Sequence, residues 1–218
     1  AMLEAMEERR ISVDGVTREL PRPHLVIATQ NPIEMEGTYP LPEAQLDRFM
    51  TRISLGYPSP AVEAQMVMSP SGSDPLERLE PVCTAQELLA ATRIAAQIKV
   101  SPQVADYAVA LLTATRTSPQ IALGASPRAG LALLAMSRVR ALTLGQEAVY
   151  PGDVRAMALP VLSHRIRFAS MNARTATIDQ QRDALARVLQ QVPAPNPPSS
   201  NWAAPNPPAP TDATRDAK

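Results

Sequence analysis

The 218-residue sequence has a single cysteine, few aromatic residues and no net charge. One cysteine excludes a framework of disulfide bonds, and no Cys/His cluster has the spacing of a zinc site. Because 21 basic residues balance 21 acidic ones, the chain lacks the charge surplus typical of a dedicated nucleic-acid-binding protein. With only 3% aromatic residues, a core must be built mainly from aliphatic side chains and methionine, a composition that favours helices.

Long hydrophobic runs are also missing from the sequence. No stretch is apolar enough to span a bilayer, and the start, AMLEAMEERR, does not have the pattern of a secretory signal peptide. We therefore expect a cytoplasmic protein. The hydrophobic content of 45% is nevertheless sufficient to bury a core of one large domain or two small ones.

Proline is abundant and unevenly distributed, with eight of the 23 prolines after Gln191. The segment 193–218 has few apolar side chains to offset the entropy of ordering, so we expect a disordered, proline-rich tail. A proline motif that binds a partner is the alternative interpretation. A second polar, proline-containing stretch, residues 69–83, has the composition of a linker. The sequence thus predicts two folded parts, residues 1–68 and residues 84–192.

The first part alternates short strand and helix signals. An Asp-Gly pair at positions 14–15 lies between two β-capable runs and predicts a hairpin. The apolar run at residues 24–29 predicts a buried parallel strand, and residues 50–55 predict a second strand. A short helix is predicted between them, over residues 43–49. This interleaving indicates the C-terminal part of an α/β sheet domain.

The second part is predicted to be helical throughout. Residues 84–87 form a capping box, and Ser-Pro pairs at 101–102 and 126–127 each place a capping serine before a proline at the first helical position. Further helices are predicted to begin near Pro151 and Ile178. Apolar residues recur at helical spacing in these segments, which predicts an all-α bundle.

Several motifs in both parts resemble the MoxR family of AAA+ ATPases. The run at residues 28–49, ATQNPIEMEGTYPLPEAQLDRF, closely resembles the family pattern, in which an asparagine called sensor 1 follows a strand and a Leu-Asp-Arg-Phe segment carries an arginine finger. Residues 124–129, GASPRA, resemble sensor 2 of the AAA+ lid domain. The hairpin and the segments 150–155 and 160–165 are similar to the same family, so the resemblance covers most of residues 1–192.

The resemblance implies functional roles for three residues. Asn31 would be sensor 1, Arg48 the arginine finger acting in trans on a neighbouring subunit, and Arg128 the sensor 2 arginine that contacts nucleotide. From the residues alone, an Asn-Pro pair is more typical of a turn, and Arg48 is more typical of a surface arginine paired with Glu43 or Asp47. Arg128 lies in the first turn of a predicted helix, where a cation opposes the helix dipole, and this indicates an anionic partner. The alternative is a solvated arginine with a nearby carboxylate.

The resemblance also implies an activity and an architecture. The fold would be the remnant of an AAA+ core, with a partial parallel sheet and a β-hairpin, followed by an all-α lid and the tail. Such proteins form rings, usually hexameric, hydrolyse ATP with Mg²⁺, and act as chaperone-like remodelling or maturation factors. Their expected clients are proteins with a von Willebrand factor A domain. The alternatives are a non-catalytic adaptor and a magnesium-chelatase-like subunit.

Two motifs of the family are missing from this sequence. The chain has no Gly-Lys pair, and hence no G-x-x-x-x-G-K-[ST] phosphate loop, and no apolar strand ends in the paired acidic residues that hold magnesium. In the family both motifs precede the helix with which this chain begins. We therefore expect Ala1 to lie inside an ATPase domain, in a truncated gene product or a fragment. We also expect the magnesium ligands to lie outside this chain and the chain alone to be inactive.

Overall fold

The computed structural model describes residues 5–6, 8–30, 42–68, 75–169 and 178–195. The sensor 1 candidate Asn31 therefore lies outside the described residues. The same is true of residues 69–74 of the predicted linker and of the predicted tail from residue 196 onwards.

A two-stranded antiparallel hairpin lies near the start of the described chain. Strand β1 (Arg10–Val13) pairs with β2 (Val16–Glu19) in a register that places Val13 opposite Val16. Asp14 and Gly15 have φ angles of 52° and 78°, the left-handed conformation that a two-residue type I′ turn requires. The hairpin predicted from the Asp-Gly pair is therefore present.

The two strands predicted at residues 24–29 and 50–55 are wrong. Within the described residues both segments are irregular chain without a strand partner, and the sheets found there are antiparallel pairs, not a parallel sheet. Leu25 is 77% exposed and Ile53 is 73% exposed. An apolar run becomes a strand only where a neighbouring strand completes its hydrogen-bonded ladder, and no described segment does so for these two runs.

Two short helices follow the hairpin. Helix α1 (Glu43–Leu46) ends three residues earlier than predicted, and α2 (Pro60–Met68) has Ser59 before a proline at its first position. The Ser59 hydroxyl accepts the backbone N–H of Val62 at 3.4 Å, a long N-capping hydrogen bond. A single 3₁₀ turn, Pro75–Arg78, lies inside the predicted linker.

The remaining described residues form a bundle of five helices: α3 (Ala85–Gln97), α4 (Pro102–Thr117), α5 (Pro127–Thr143), α6 (Pro151–Leu162) and α7 (Ile178–Gln190). The predicted caps explain where three of these helices begin. The hydroxyls of Thr84, Ser101 and Ser126 each accept the backbone N–H of the third residue of the following helix, at 3.2–3.3 Å. We refer to residues 84–192 as the lid.

The core of the lid lies where α4, α5, α6 and α7 meet. Each of these helices contributes a leucine that is fully inaccessible to solvent: Leu111, Leu133, Leu162 and Leu185. Burying one such side chain contributes about 1.5–3 kcal/mol. The core is built almost entirely from aliphatic residues, as the low aromatic content of the sequence predicts.

The prediction that the lid is all-helical is wrong in one respect. Strand β3 (Ile121–Leu123), between α4 and α5, pairs antiparallel with β4 (Arg167–Phe168), which follows α6. An isolated parallel bridge also joins Lys99 to Ala148. Strands this short, interrupted by a register shift, are too brief to show a period-two pattern in the sequence.

Candidate functional site

The candidate site lies where the segment after α1 contacts the lid. We call residues 47–52 the finger segment, because they contain Arg48. The Asp47 carboxylate accepts a hydrogen bond from the Ser126 hydroxyl, which lies 3.3 Å from each carboxylate oxygen. The same carboxylate forms an ion pair with Arg165, with 3.4 Å between Oδ1 and Nε. Asp47 therefore connects the finger segment to the start of α5 and to the chain just after α6.

Backbone groups of the finger segment make further contacts with the lid. The Phe49 carbonyl accepts hydrogen bonds from Arg165 Nη2 at 2.7 Å and from His164 Nε2 at 2.9 Å. The backbone N–H of Arg52 donates to the Pro160 carbonyl at 2.8 Å. This carbonyl belongs to the last turn of α6, where helical carbonyls lack an intrahelical partner. The finger segment thus fills hydrogen-bonding positions that the end of α6 leaves open.

Arg165 is the most deeply buried cation of this contact. Only 2% of its side chain is exposed, compared with 24% for Asp47. Burial lowers the pKa of Arg165, the Asp47 carboxylate opposes that shift, and the positive charge of Arg128 adds to it. A guanidinium remains charged at neutral pH despite such a shift. Arg165 is therefore a fixed positive charge whose field overlaps that of Arg128.

His164 contacts the same carbonyl but carries no charge at neutral pH. Burial lowers its pKa, and the nearby cations Arg165 and Arg52 lower it further, against the raising effects of the Phe49 hydrogen bond and the Asp47 carboxylate. Because a carbonyl can only accept, the proton of the neutral ring lies on Nε2 in this arrangement. The other ring nitrogen, Nδ1, is buried without a hydrogen-bond partner among the described residues.

Arg128 lies at the N-terminal end of α5, where it is exposed. Ser126 caps this helix and Pro127 is its first residue, so Arg128 is the second. Helix N-termini carry a partial positive charge and free backbone N–H groups, both of which favour bound phosphate. The exposed end of α5 and the Arg128 guanidinium therefore fit an anionic group such as the phosphates of a nucleotide.

The residues before this helix are held against the end of α4. Arg116 Nε donates to the Ala125 carbonyl at 2.8 Å, and the Ala125 N–H donates to the buried Thr115 hydroxyl at 3.0 Å. A Cβ atom at Gly124 would lie 2.7 Å from the Arg116 Cα, so only glycine fits there without a backbone shift. This packing fixes the positions of Ser126 and of the helix that carries Arg128.

The structure brings two of the three predicted site residues into one region. Arg48, which is partly buried, lies beside Asp47, and Asp47 contacts the cap of the helix that bears Arg128. Gln30, the residue before Asn31, accepts a hydrogen bond from Arg52 Nη2 at 3.3 Å. Asn31 itself lies outside the described residues, so the predicted cleft between Asn31 and Arg128 stays a prediction.

The contribution of residues 164 and 165 is not predictable from the sequence. Both belong to the segment 160–165 that resembles the lid, but an arginine or histidine at the end of a helix gives no signal about a contact far away in the chain. The sequence indicates Asp47 only as a surface partner for Arg48. Its carboxylate instead binds the lid, through Ser126 and Arg165.

The described part of the chain offers no grouped metal ligands and no membrane-spanning helix. Among the residues that the structure describes, no three His, Cys, Asp or Glu side chains are grouped as a metal site. Within the same ranges, every helix is too short or too polar to cross a membrane.

Two family descriptions match the chain. Residues 1–51 match the "ATPase family associated with various cellular activities (AAA)", and residues 113–186 match the "AAA lid domain". A crystal structure from Cytophaga hutchinsonii, of a protein assigned as an ATPase, superimposes with a TM-score of 0.77 at 29% identity. That superposition covers 89% of this chain and 61% of the other. The helical lid and these matches place the chain in the AAA+ class of proteins.

Curated relatives specify the family further. The chain is 41% identical over 166 residues to protein YeaC of Bacillus subtilis, covering 76% of this chain and 52% of that protein. It is 40% identical over 210 residues to chaperone MoxR1 of Mycobacterium tuberculosis, covering 89% of this chain and 53% of that protein. Protein MoxR of Methylorubrum extorquens is 33% identical, with 62% of its length covered. The chain belongs to the MoxR family of AAA+ ATPases and spans about half the length of the first two relatives.

Proposed function

We propose that this chain is the part of a MoxR-type ATPase ring that senses nucleotide and supplies an arginine to the neighbouring subunit. The observation that carries the proposal is the contact between Asp47 and Ser126, at 3.3 Å. It places the finger segment against the N-terminus of the helix that bears Arg128. The two arginines that the family uses at ATP thus belong to one connected region of the subunit.

Each predicted site residue has a distinct role in this proposal. Arg128, exposed in the first turn of α5, binds phosphate oxygens of ATP held by its own subunit. Arg48 neutralises charge on the transferring phosphoryl group in the neighbouring subunit, a contribution worth roughly 10³ to 10⁵ in rate. Asn31, as sensor 1, orients the attacking water without adding charge, because an amide both donates and accepts hydrogen bonds.

The cofactors are ATP and Mg²⁺. Bound magnesium neutralises charge on the β- and γ-phosphates in reactions of this kind. The resemblance places its ligands in a motif that this sequence lacks, so we assign no residue of this chain to the metal. The role of this chain is to bind phosphate and to position the arginines.

The remaining parts of the proposal follow the family. The assembly is a homo-oligomeric ring, most simply a hexamer, in the cytoplasm, with no role in binding nucleic acid. It acts as a chaperone-like remodelling or maturation factor, in keeping with the name of chaperone MoxR1. Its clients are proteins with a von Willebrand factor A domain. Within the chain, residues 1–68 belong to the ATPase core, 69–83 to the linker, 84–192 to the lid and 193–218 to a disordered tail.

Subunit mixing provides a direct test. The partner is full-length YeaC in which the residue aligned with Arg48 is changed to alanine, and we expect this variant to hydrolyse ATP slowly because it has no finger arginine. We expect the purified 218-residue chain to show no hydrolysis by itself and to stimulate this variant by supplying Arg48 in trans. Arg48→Ala should abolish the stimulation. Arg128→Ala should preserve it, because the 218-residue chain has no phosphate loop that would hold a nucleotide at its own Arg128. Arg155→Ala is a control for removing an exposed arginine.

The outcomes separate the parts of the proposal. Co-assembly can be followed by native mass spectrometry. Mixed rings without stimulation would show that Arg48 is not a finger, and absence of mixed rings would contradict the ring itself. Stimulation that persists in Arg48→Ala would assign the effect to another residue. Hydrolysis by the isolated chain, abolished by Arg48→Ala, would contradict our expectation that it is inactive alone.

A further inference from the structure

Asp47 has a position that the roles of Arg48 and Arg128 do not explain. Its carboxylate binds two groups that are far apart in sequence, the Ser126 hydroxyl at 3.3 Å and Arg165 Nε at 3.4 Å. The adjacent residue in the chain is Arg48. One carboxylate therefore lies between the finger arginine and the helix that bears the sensor 2 arginine.

The geometry of Ser126 makes this contact directional. Its oxygen accepts the Ala129 N–H at 3.3 Å, which is the cap of α5, and its hydroxyl proton is directed to Asp47. A serine hydroxyl can accept a hydrogen bond on its oxygen and donate another through its proton. Ser126 can therefore cap α5 and bind Asp47 at the same time. A movement of the N-terminus of α5 is consequently transmitted to Asp47.

Arg165 holds the opposite side of the finger segment. Its guanidinium contacts the Asp47 carboxylate and donates to the Phe49 carbonyl at 2.7 Å. The residues on both sides of Arg48 are thereby attached to the same lid cation. This guanidinium, with 2% side-chain exposure, attracts Asp47 through its charge and is oriented by its hydrogen bond to the Phe49 carbonyl.

We propose that Asp47 is a positioning residue that couples Arg128 to Arg48. By binding Ser126 and Arg165 together, it makes the finger segment move with the N-terminus of α5. The inference rests on the proposed function. It adds that the state of the nucleotide at Arg128 in one subunit sets the position of Arg48 at the next site of the ring. Adjacent ATP sites are then coupled through a carboxylate that touches neither nucleotide.

The coupling can be measured without nucleotide in the full 218-residue chain. Spin labels at Met50→Cys and Thr143→Cys, in a Cys83→Ser background, report the distance between the finger segment and the far end of α5. Both label positions are exposed, and Cys83 is the chain's one native cysteine. We expect a single narrow distance distribution in the parent chain. Asp47→Asn and Ser126→Ala should each broaden it or add a second distance.

Ser101→Ala is the matched control. Ser101 also precedes a proline and caps its helix through the N–H of the third residue, at 3.3 Å. Ser101→Ala weakens the cap of α4 in the same way but does not affect any contact of the finger segment. The distribution of distances between the two labels should therefore stay narrow. A Ser126→Ala distribution as narrow as that of Ser101→Ala would overturn the proposal. So would an unchanged distribution in folded Asp47→Asn, with folding checked by circular dichroism.

A second readout uses the mixed ring with the YeaC variant. Asp47→Asn retains Arg48 but should lower the stimulation by about tenfold, the effect expected when a charge-assisted contact is lost. Full stimulation by Asp47→Asn would overturn the positioning role. If the parent chain itself gives no stimulation, the proposed function fails, and the distance measurement still decides whether Asp47 holds the finger segment to the lid.

Discussion

Asp47 and Arg165 form an ion pair, 3.4 Å between Oδ1 and Nε, in which the cation is almost fully buried and the carboxylate is partly exposed. Such a pair differs from the surface ion pairs of the chain, for example Arg10 with Glu19, whose side chains are 53% and 82% exposed. Exposed pairs contribute between zero and about 1 kcal/mol. Removing one partner of a buried pair leaves the other polar groups without their contacts and costs more.

Arg165→Met should therefore destabilise the protein. The substitution retains the apolar stem but removes the charge that pairs with Asp47 and the donor to the Phe49 carbonyl. We expect a loss of about 2–3 kcal/mol in the free energy of unfolding. The measurement is urea denaturation followed by far-UV circular dichroism. Arg155→Met, which changes an exposed arginine of α6, should alter the free energy by less than about 0.5 kcal/mol. Equal effects of the two changes would contradict the role assigned to Arg165.

Stability should also fall in mild acid because of His164. Burial lowers the pKa of this histidine below its ordinary value of 6.5, so the folded state favours the neutral ring. The unfolded chain takes up a proton as the pH falls through 6.5, whereas the folded chain takes it up only at lower pH. The contribution of His164 to the free energy of unfolding should thus be constant above about pH 6.5. Between 6.5 and the lower pKa of the folded state, the free energy should decrease by at most about 1.4 kcal/mol per pH unit.

A glutamine at position 164 tests this assignment. His164→Gln retains an N–H donor for the Phe49 carbonyl but does not titrate, so its stability should be flat from neutral pH to about pH 5, where carboxylates begin to contribute. The chain has two histidines, and His24 is exposed, so His24→Gln is the control that should preserve the dependence. A pH dependence that survives in His164→Gln would assign the effect to another group.

Gly124 should be intolerant of any side chain. A Cβ at this position would lie 2.7 Å from the Arg116 Cα, a backbone atom that cannot move independently of α4. We expect Gly124→Ala to cost about 1–3 kcal/mol in denaturation experiments, because the segment before α5 must shift.

Gly152→Ala, in contrast, should not lower the stability of the protein. Gly152 lies in the first turn of α6, and a Cβ atom added there would have open space around it, with no neighbouring atom within 4 Å. Alanine in a helix is favoured over glycine by roughly 0.5–1 kcal/mol, so this variant should be at least as stable as the parent. If Gly124→Ala and Gly152→Ala both destabilise the protein, the lack of space at Gly124 is not the cause of the lost stability.

The sequence was most informative where structure is determined locally. A Thr or Ser cap with its partner three residues on predicted where α3, α4 and α5 begin, because both groups of each hydrogen bond lie in one turn. The Asp-Gly pair predicted the hairpin for the same reason. The predicted strands at residues 24–29 and 50–55 failed, because a strand depends on a partner elsewhere that local pattern cannot supply.

The same distinction applies to the candidate site. Arg48 and Arg128 were recognisable because each lies in a short motif that resembles the MoxR family. The contacts that connect them, from Asp47 to Ser126 and Arg165, join residues far apart in the chain. Side chains of this charge and size can have many roles on a protein surface, so the residue types alone do not predict these contacts. Only the folded lid, which buries Arg165, shows that Asp47 has a buried cation to bind.

Helix α7 should be an integral part of the lid, as the predicted boundary at residue 192 requires. Its Leu185 is fully buried against the other helices, so Leu185→Ala removes core contacts and leaves a cavity. Such changes cost about 2–5 kcal/mol. Leu131→Ala is the matched control, since Leu131 lies in α5 but is 74% exposed and should change stability by less than about 0.5 kcal/mol. Denaturation curves of the two variants decide the question. If Leu185→Ala unfolds at the same urea concentration as Leu131→Ala, α7 is not packed on the lid and the domain ends before Ile178.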